Sequence, residues 1–227
     1  MTKPIIVYDL DGTLVDTAPD LLDSLNHCLG LAGLDAAEPS ELRKFVGMGG
    51  RVMIERAFSA QQKPLEQAEL DRLLTAFLDH YGGAIPGKSQ PYAGVLAALD
   101  RFEKAGYIAA VCTNKYENLA TSLVGGLGLA PRFAAVCGQD TFPFRKPDPR
   151  HLTETIALAG GSPARAVMIG DSRTDIDTAK AAGIPVVAVD FGYTDRHVRE
   201  FEPSLIISHY DELTIDVVER LLTAAAV

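Results

Sequence analysis

No apolar run in this sequence approaches the ~18 residues needed to cross a bilayer, so a membrane-spanning helix is not expected. Positive charge is in short supply. The 21 Lys and Arg stand against 30 Asp and Glu, and a net charge of −9 opposes approach to nucleic acid or to an anionic membrane. Neither is expected as a partner, and a small molecule is. Cysteine is limited to Cys28, Cys112 and Cys137, an odd, widely spaced set without a C-x-x-C pair. That pattern argues against a disulfide framework or a zinc site and fits reduced, buried thiols. The five histidines, His27, His80, His151, His197 and His209, form no H-x-x-x-H motif and read as packing or surface residues. Tryptophan is absent, as are low-complexity tracts and blocks of like charge; with 47% hydrophobic residues the chain can bury a real core. At 227 residues that core can be one large domain or a medium and a small one. The start, "MTKPIIVYD", reaches an acid too soon for a secretory signal, so a cytoplasmic protein is expected.

Short apolar runs are what the chain does have: "PIIVY" (4–8), "YIAAVC" (107–112), "FAAVC" (133–137), "AVMI" (166–169), "PVVAV" (185–189) and "LII" (205–207). Each is nearly continuous in hydrophobicity, the pattern of strands covered on both faces of a parallel sheet. Helical segments separate the later ones, such as "PYAGVLAALDRFEKAG", expected to start at Pro91 and stop at Gly106, and "TDIDTAKAAG" at 174–183. The fold class is therefore α/β, with a doubly wound parallel sheet. Residues 17–88 read instead as helices with apolar positions at three and four spacing, in "DLLDSLNHCLGLAGL", "GGRVMIERAF" and "PLEQAELDRLLTAFLDHYGG". This predicts a helical domain over 17–88 inserted into an α/β core of residues 1–16 and 89–227, joined by two flexible linkers, "DTAP" and "AIPGKSQP".

Several of the expected strands end on polar residues: the first on Asp9 with Asp11 two positions later, the second on Thr113 and Asn114, the fourth on "GDSRTD" with Asp171 and Asp175. In open parallel sheets, ligands bind outside the carboxyl ends of the strands, so these groups are expected to converge. Asp16, Asp20 and Asp177 are read as helix caps or turn residues. Acids crowded into one crevice repel one another unless a cation is present, and hard oxygen ligands without His or Cys favour Mg²⁺ bound with phosphate oxygens. A phosphate dianion ~4 Å from a carboxylate meets roughly 8 kcal/mol of repulsion at an effective dielectric near 20, so a cation must assist any attack. Lys146 in "FRKPDP" is the candidate side chain, Thr113 and Asn114 are candidate phosphate donors, and backbone N–H groups around Leu10, Gly12 and Asn114 are a candidate anion nest.

Together, "DLDGT", "CTN", "KPDP" and "GDSRTD", in this order, resemble the four motifs of the haloacid dehalogenase superfamily, and the likeness spans the chain. "DLDGTLVDTAPDL", "TNK" and "GDSRTDI" look most like its phosphoglycolate phosphatases. The resemblance implies a phosphatase acting on a small phosphate ester, with Asp9 as nucleophile and Asp11 as general acid and base. Lys146 would offset charge and, with Thr113, hold the phosphoryl group. It further implies Mg²⁺ held by Asp9, the Asp11 carbonyl and Asp171, with Asp175 in support. The helical insertion becomes a cap that closes over the site. Its "VGMGGR" segment (46–51) is either a specificity loop in which Arg51 would meet a substrate carboxylate or an ordinary helix–turn–helix junction. A phosphosugar mutase and a non-catalytic binder are the alternatives, and a monomer or homodimer is expected.

Overall fold

The computed structural model describes residues 3–38, 46 and 49–225, so positions 47 and 48 of the "VGMGGR" segment lie outside the described residues. In chain order the regular elements are β1 (Ile5–Tyr8), β2 (Val15–Asp16), α1 (Ala18–Leu31), α2 (Gly50–Ala60), α3 (Gln67–Ala84) and β3 (Gln90–Pro91). They continue with α4 (Val95–Lys104), β4 (Ile108–Cys112), α5 (Glu117–Gly126), β5 (Ala135–Cys137), α6 (Pro149–Leu158) and β6 (Ala166–Gly170). The last are α7 (Arg173–Ala181), β7 (Val186–Val189), β8 (Leu205–Ile207) and α8 (Ile215–Ala224).

Six strands form a parallel sheet in the order β5-β4-β1-β6-β7-β8. The chain steps from β1 outward through β4 and β5, then returns to the other side for β6, β7 and β8, so the winding reverses at β1. Side chains alternate between the faces of a strand. Ile6 and Tyr8 accordingly enter one hydrophobic cluster with Val111, Val167, Leu99 and Val218, while Ile5 and Val7 enter a second with Met168, Leu152 and Ile176. Burying each such aliphatic side chain contributes roughly 1.5–3 kcal/mol, and coverage on both faces explains why β1 reads as an unbroken apolar run. The three cysteines are buried and free, as their apolar settings imply, and burial pushes the Cys112 thiol up to about 12.

A third cluster lies between α1, α2 and α3, built from Leu25, Leu29, Met53, Ile54, Leu73 and Phe77. Two histidines far apart in sequence meet here: the rings of His27 and His80 stack with centroids 4.4 Å apart, and Ser24 Oγ lies 3.0 Å from His80 Nδ1. No short-range motif carries that pairing.

The connections to this helical segment differ from the flexible linkers expected. The outgoing and returning chains pair as a short antiparallel ribbon, Val15 opposite Pro91 and Asp16 opposite Gln90. Pro91 therefore ends a strand rather than starting a helix. Tyr92 N–H donates to Leu14 O, and α4 opens later, after a left-handed Gly94. Asp20 is no simple helix cap either: its buried carboxylate accepts from Lys88 N–H at 2.9 Å and from Ser89 N–H at 2.7 Å, stapling the returning chain to α1. Asp177, by contrast, stays exposed in a pair with Arg173 one helical turn away.

Asp20→Ala would leave the buried Ser89 N–H and hydroxyl without their acceptor, at a cost of about 2–3 kcal/mol in urea unfolding. Asp177→Ala, which removes an exposed helix pair, is expected to change stability by less than about 0.5 kcal/mol.

Candidate active site

Pairing along the sheet fixes where the strand-end residues sit. Asp9 follows the last residue of β1, and its N–H still bonds Ile169 O at 2.9 Å; Thr113 follows β4, its N–H bonding Cys137 O at 3.0 Å. Asp171 follows β6, and the next residue, Ser172, caps α7 by bonding reciprocally with Asp175. These backbones are held by strands on either side before any side chain is considered. Asp9, Asp171 and Asp175 converge, each offering an oxygen within 4.8 Å of the others.

Lys146 enters this group from the loop before α6. Its buried ammonium lies 2.9 Å from Asp9 Oδ1 and 2.6 Å from Asp175 Oδ1. Burial pulls the Lys146 pKa down, but Asp175 and Asp9 more than offset it and the net shift is upward, so the ammonium stays charged. The acids are less fully compensated. Burial raises the Asp9 carboxyl to about 6, against the pull of Lys146 and with added repulsion from Asp175. Asp171 is pushed well above the usual carboxylate range by burial, then by Asp175 and Asp9. One ammonium therefore faces three clustered carboxylates, a hard all-oxygen donor set with negative charge left over. That composition fits a divalent cation.

The supporting contacts are specific. Thr13 Oγ1 donates to Asp171 Oδ1 at 2.9 Å and Tyr193 N–H to Asp171 Oδ2 at 2.6 Å. Two glycines make this approach possible: a Cβ on Gly12, whose φ is +79°, would lie 2.4 Å from Asp171 Oδ2, and one on Gly192 would lie 2.2 Å from Asp171 Cβ. The Lys146 backbone is held from both sides. Asn114 Nδ2 donates to Lys146 O at 2.9 Å, and Lys146 N–H donates to His151 Nδ1 at 3.2 Å.

Asp9, Asp171, Asp175 and Lys146 are thus brought together, with Thr113 and Asn114 on the neighbouring strand end. Thr113 Oγ1 accepts from Lys115 N–H at 3.2 Å, which leaves its own proton for a ligand oxygen. Asp11 faces a different cation from the one expected for the acids: Lys115 Nζ bonds its two carboxylate oxygens at 2.9 and 3.0 Å.

Two of the expected groups have partners within the protein. The nest around Leu10 and Gly12 is already engaged, Leu10 N–H with Asp9 Oδ1 at 2.7 Å and Gly12 N–H with Val15 O at 3.0 Å. Gly12 serves close packing instead. Arg51 has a partner of its own, Asp71 of α3, one Nη lying 2.8 Å from Asp71 Oδ1 on the exposed side of the helical segment.

Lys115, Tyr193 and His151 escaped the residue-level reading. Lys115 stood in plain view after "CTN", but nothing in sequence marks which lysine near a strand end turns inward. His151 falls within a helix pattern and looks like packing.

Residues 6–189 match the family model for haloacid dehalogenase-like hydrolases. The chain belongs to that family. Among its relatives, a phosphoglycolate phosphatase of Mesorhizobium japonicum is 69% identical over 225 residues, covering 99% of each chain. A phosphoglycolate phosphatase of Agrobacterium fabrum is 47% identical over 224 residues, covering 99% of this chain and 96% of its own. The crystal structure of a predicted phosphoglycolate phosphatase from Haemophilus somnus is similar with a TM-score of 0.86 at 28% identity, over 94% of this chain and 97% of that one. The winding reversal at β1 and the acids beyond the strand ends therefore lie in a haloacid dehalogenase-like hydrolase. Among the described residues, no helix is long and apolar enough to cross a membrane.

His151 gives this hydrolase a measurable pH signature. Burial, then the nearby Lys146 charge, depresses its pKa to about 4. Between pH 6.5 and 4 the unfolded chain takes up a proton that the folded chain refuses, so this contribution to stability is present above pH 6.5 and is lost on acidification. His151→Asn is expected to be less stable than the parent at pH 7. Its urea-unfolding free energy should then fall by about 2–3 kcal/mol less than the parent's between pH 7 and 4.5.

Proposed function

We propose that this chain is a magnesium-dependent phosphomonoesterase working through a phosphorylated Asp9, with 2-phosphoglycolate as its substrate. The chemistry rests on one observation above the others: a buried ammonium bridging Asp9 and Asp175 beside Asp171, at the carboxyl end of the central strand. The choice of substrate is supported by the phosphoglycolate phosphatases that match the chain at 69% and 47% identity over nearly all of its length.

Asp9 is fixed by β1, and Lys146 draws one of its oxygens to 2.9 Å, so its carboxylate is pre-positioned. Its attack on phosphorus forms the aspartyl phosphate and breaks the bond to the leaving oxygen, which takes a proton from Asp11. In the second half, Asp11 accepts a proton from water as that water's oxygen attacks phosphorus and releases the Asp9 carboxylate. Thr113 and Lys146 hold the phosphoryl oxygens throughout. Asp9, the Asp11 carbonyl and Asp171 would hold Mg²⁺, with Asp175 restrained by Lys146 and Ser172. When bound, the ion neutralises phosphoryl charge that the carboxylates would repel. The insertion would act as the lid, since Tyr81 of α3 reaches the Lys115–Asp11 pair and its closure would exclude bulk water.

Phosphate release from 2-phosphoglycolate should exceed that from β-glucose 1-phosphate with its bisphosphate activator by about 100-fold or more in kcat/KM. EDTA should abolish it, with recovery on adding Mg²⁺. The reverse preference, or activity indifferent to chelation, would defeat this assignment. Asp9→Asn is expected to lower kcat by about 10⁴-fold or more with an unchanged far-UV circular dichroism spectrum, and near-normal turnover would remove Asp9 as nucleophile.

A further inference from the structure

We propose that Lys115 is a substrate ligand, selecting esters whose leaving group carries a carboxylate next to the ester carbon; this rests on the phosphomonoesterase reading above. The side chain comes from the turn after β4, is buried, and spans from the core to the helical segment. Its ammonium donates to Asp11 Oδ1 at 2.9 Å and Oδ2 at 3.0 Å, beneath the ring of Tyr81, whose centroid lies 4.3 Å from Nζ. A lysine ammonium has three donors, so it can keep one on Asp11 while turning another toward a second carboxylate.

The position matters because of where Asp11 must act. An acid that protonates the leaving oxygen stands beside that oxygen, so the atoms that follow it in the substrate enter the space next to Asp11 and its partner. A carboxylate placed there meets Asp11, with Asp9 beyond it, and would be repelled by both unless a cation faced it. Lys115 is that cation. Burial pulls its pKa down, but Asp11 and Tyr81 raise it further, so it remains charged at neutral pH. Arg51, the other cation considered for this role, pairs with Asp71 on the exposed side of the helical segment. Tyr81 adds a wall on the side of the insertion. An ammonium against an aromatic face keeps its attraction while excluding water, which sharpens the penalty for a neutral leaving group.

The test compares two substrates differing only in that carboxylate, 2-phosphoglycolate and ethyl phosphate, in the full-length protein with Mg²⁺ present. Lys115→Met is expected to lower the ratio of their kcat/KM values by about 30-fold or more, chiefly through KM for 2-phosphoglycolate. Equal losses on the two esters would overturn the proposal, since Lys115 would then serve Asp11 alone. A parent enzyme that hydrolyses neither ester, or shows no preference for the acidic one, would defeat the phosphoglycolate reading and this inference with it. The two failures are distinct because one appears in the parent and the other only in the variant. If Lys115→Met does not fold, Lys115→Gln is used, and the same ratio decides.

Discussion

One buried ammonium organises this protein's centre. Lys146 has almost no exposure, yet it stays charged because Asp9 and Asp175 lie within 3 Å of it. Removing Lys146 would leave buried carboxylates without compensation, which is costly in a low-dielectric interior. The cluster is nevertheless not neutral: Asp171 adds a third carboxylate, and the raised pKa values of Asp9 and Asp171 record the surplus. A structure built for stability alone would have no reason to keep that surplus. A site that awaits a cation and a phosphate does.

The rest of the fold serves to hold these charges in place. The sheet fixes Asp9 and Asp171 on adjacent strands, while Asn114 and His151 clamp the Lys146 backbone. Tyr193 connects the two regions of the molecule. Its N–H bonds Asp171, its hydroxyl accepts from Ala18 N–H at 2.8 Å and donates to Asp16, and its ring packs in the helical cluster. Asp20 ties the returning chain to α1 in the same neighbourhood. Tyr193 therefore links the helical segment to a residue that bonds Asp171.

Much of this was legible in the residues because it depends on short-range pattern. Continuous apolar runs located all six strands of the main sheet to within two residues, since strands covered on both faces cannot afford polar positions. Asp9 and Asp171 were legible because each follows such a run directly, and Asp175 because it lies one helical turn beyond Asp171; strand direction then dictates convergence. Pro91 was misread because a proline can begin a helix or occupy a strand that needs no N–H there, and only the partner strand decides between them. Asp20 was misread for a similar reason: an acid in a helix's first turn has an ordinary local role, and its actual donors lie 68 and 69 residues away.

By itself the sequence determined the α/β class, the helical insertion and the set of acids at the strand ends, because these follow from hydrophobic periodicity and from where each run stops. Tertiary structure decided which charge meets which. Lys146 turns to Asp9 and Asp175, Lys115 to Asp11, and Arg51 away to Asp71. A lysine's long side chain reaches in many directions from one backbone position, so its partner is set by what the folded surroundings leave open. No local pattern in the chain encodes that.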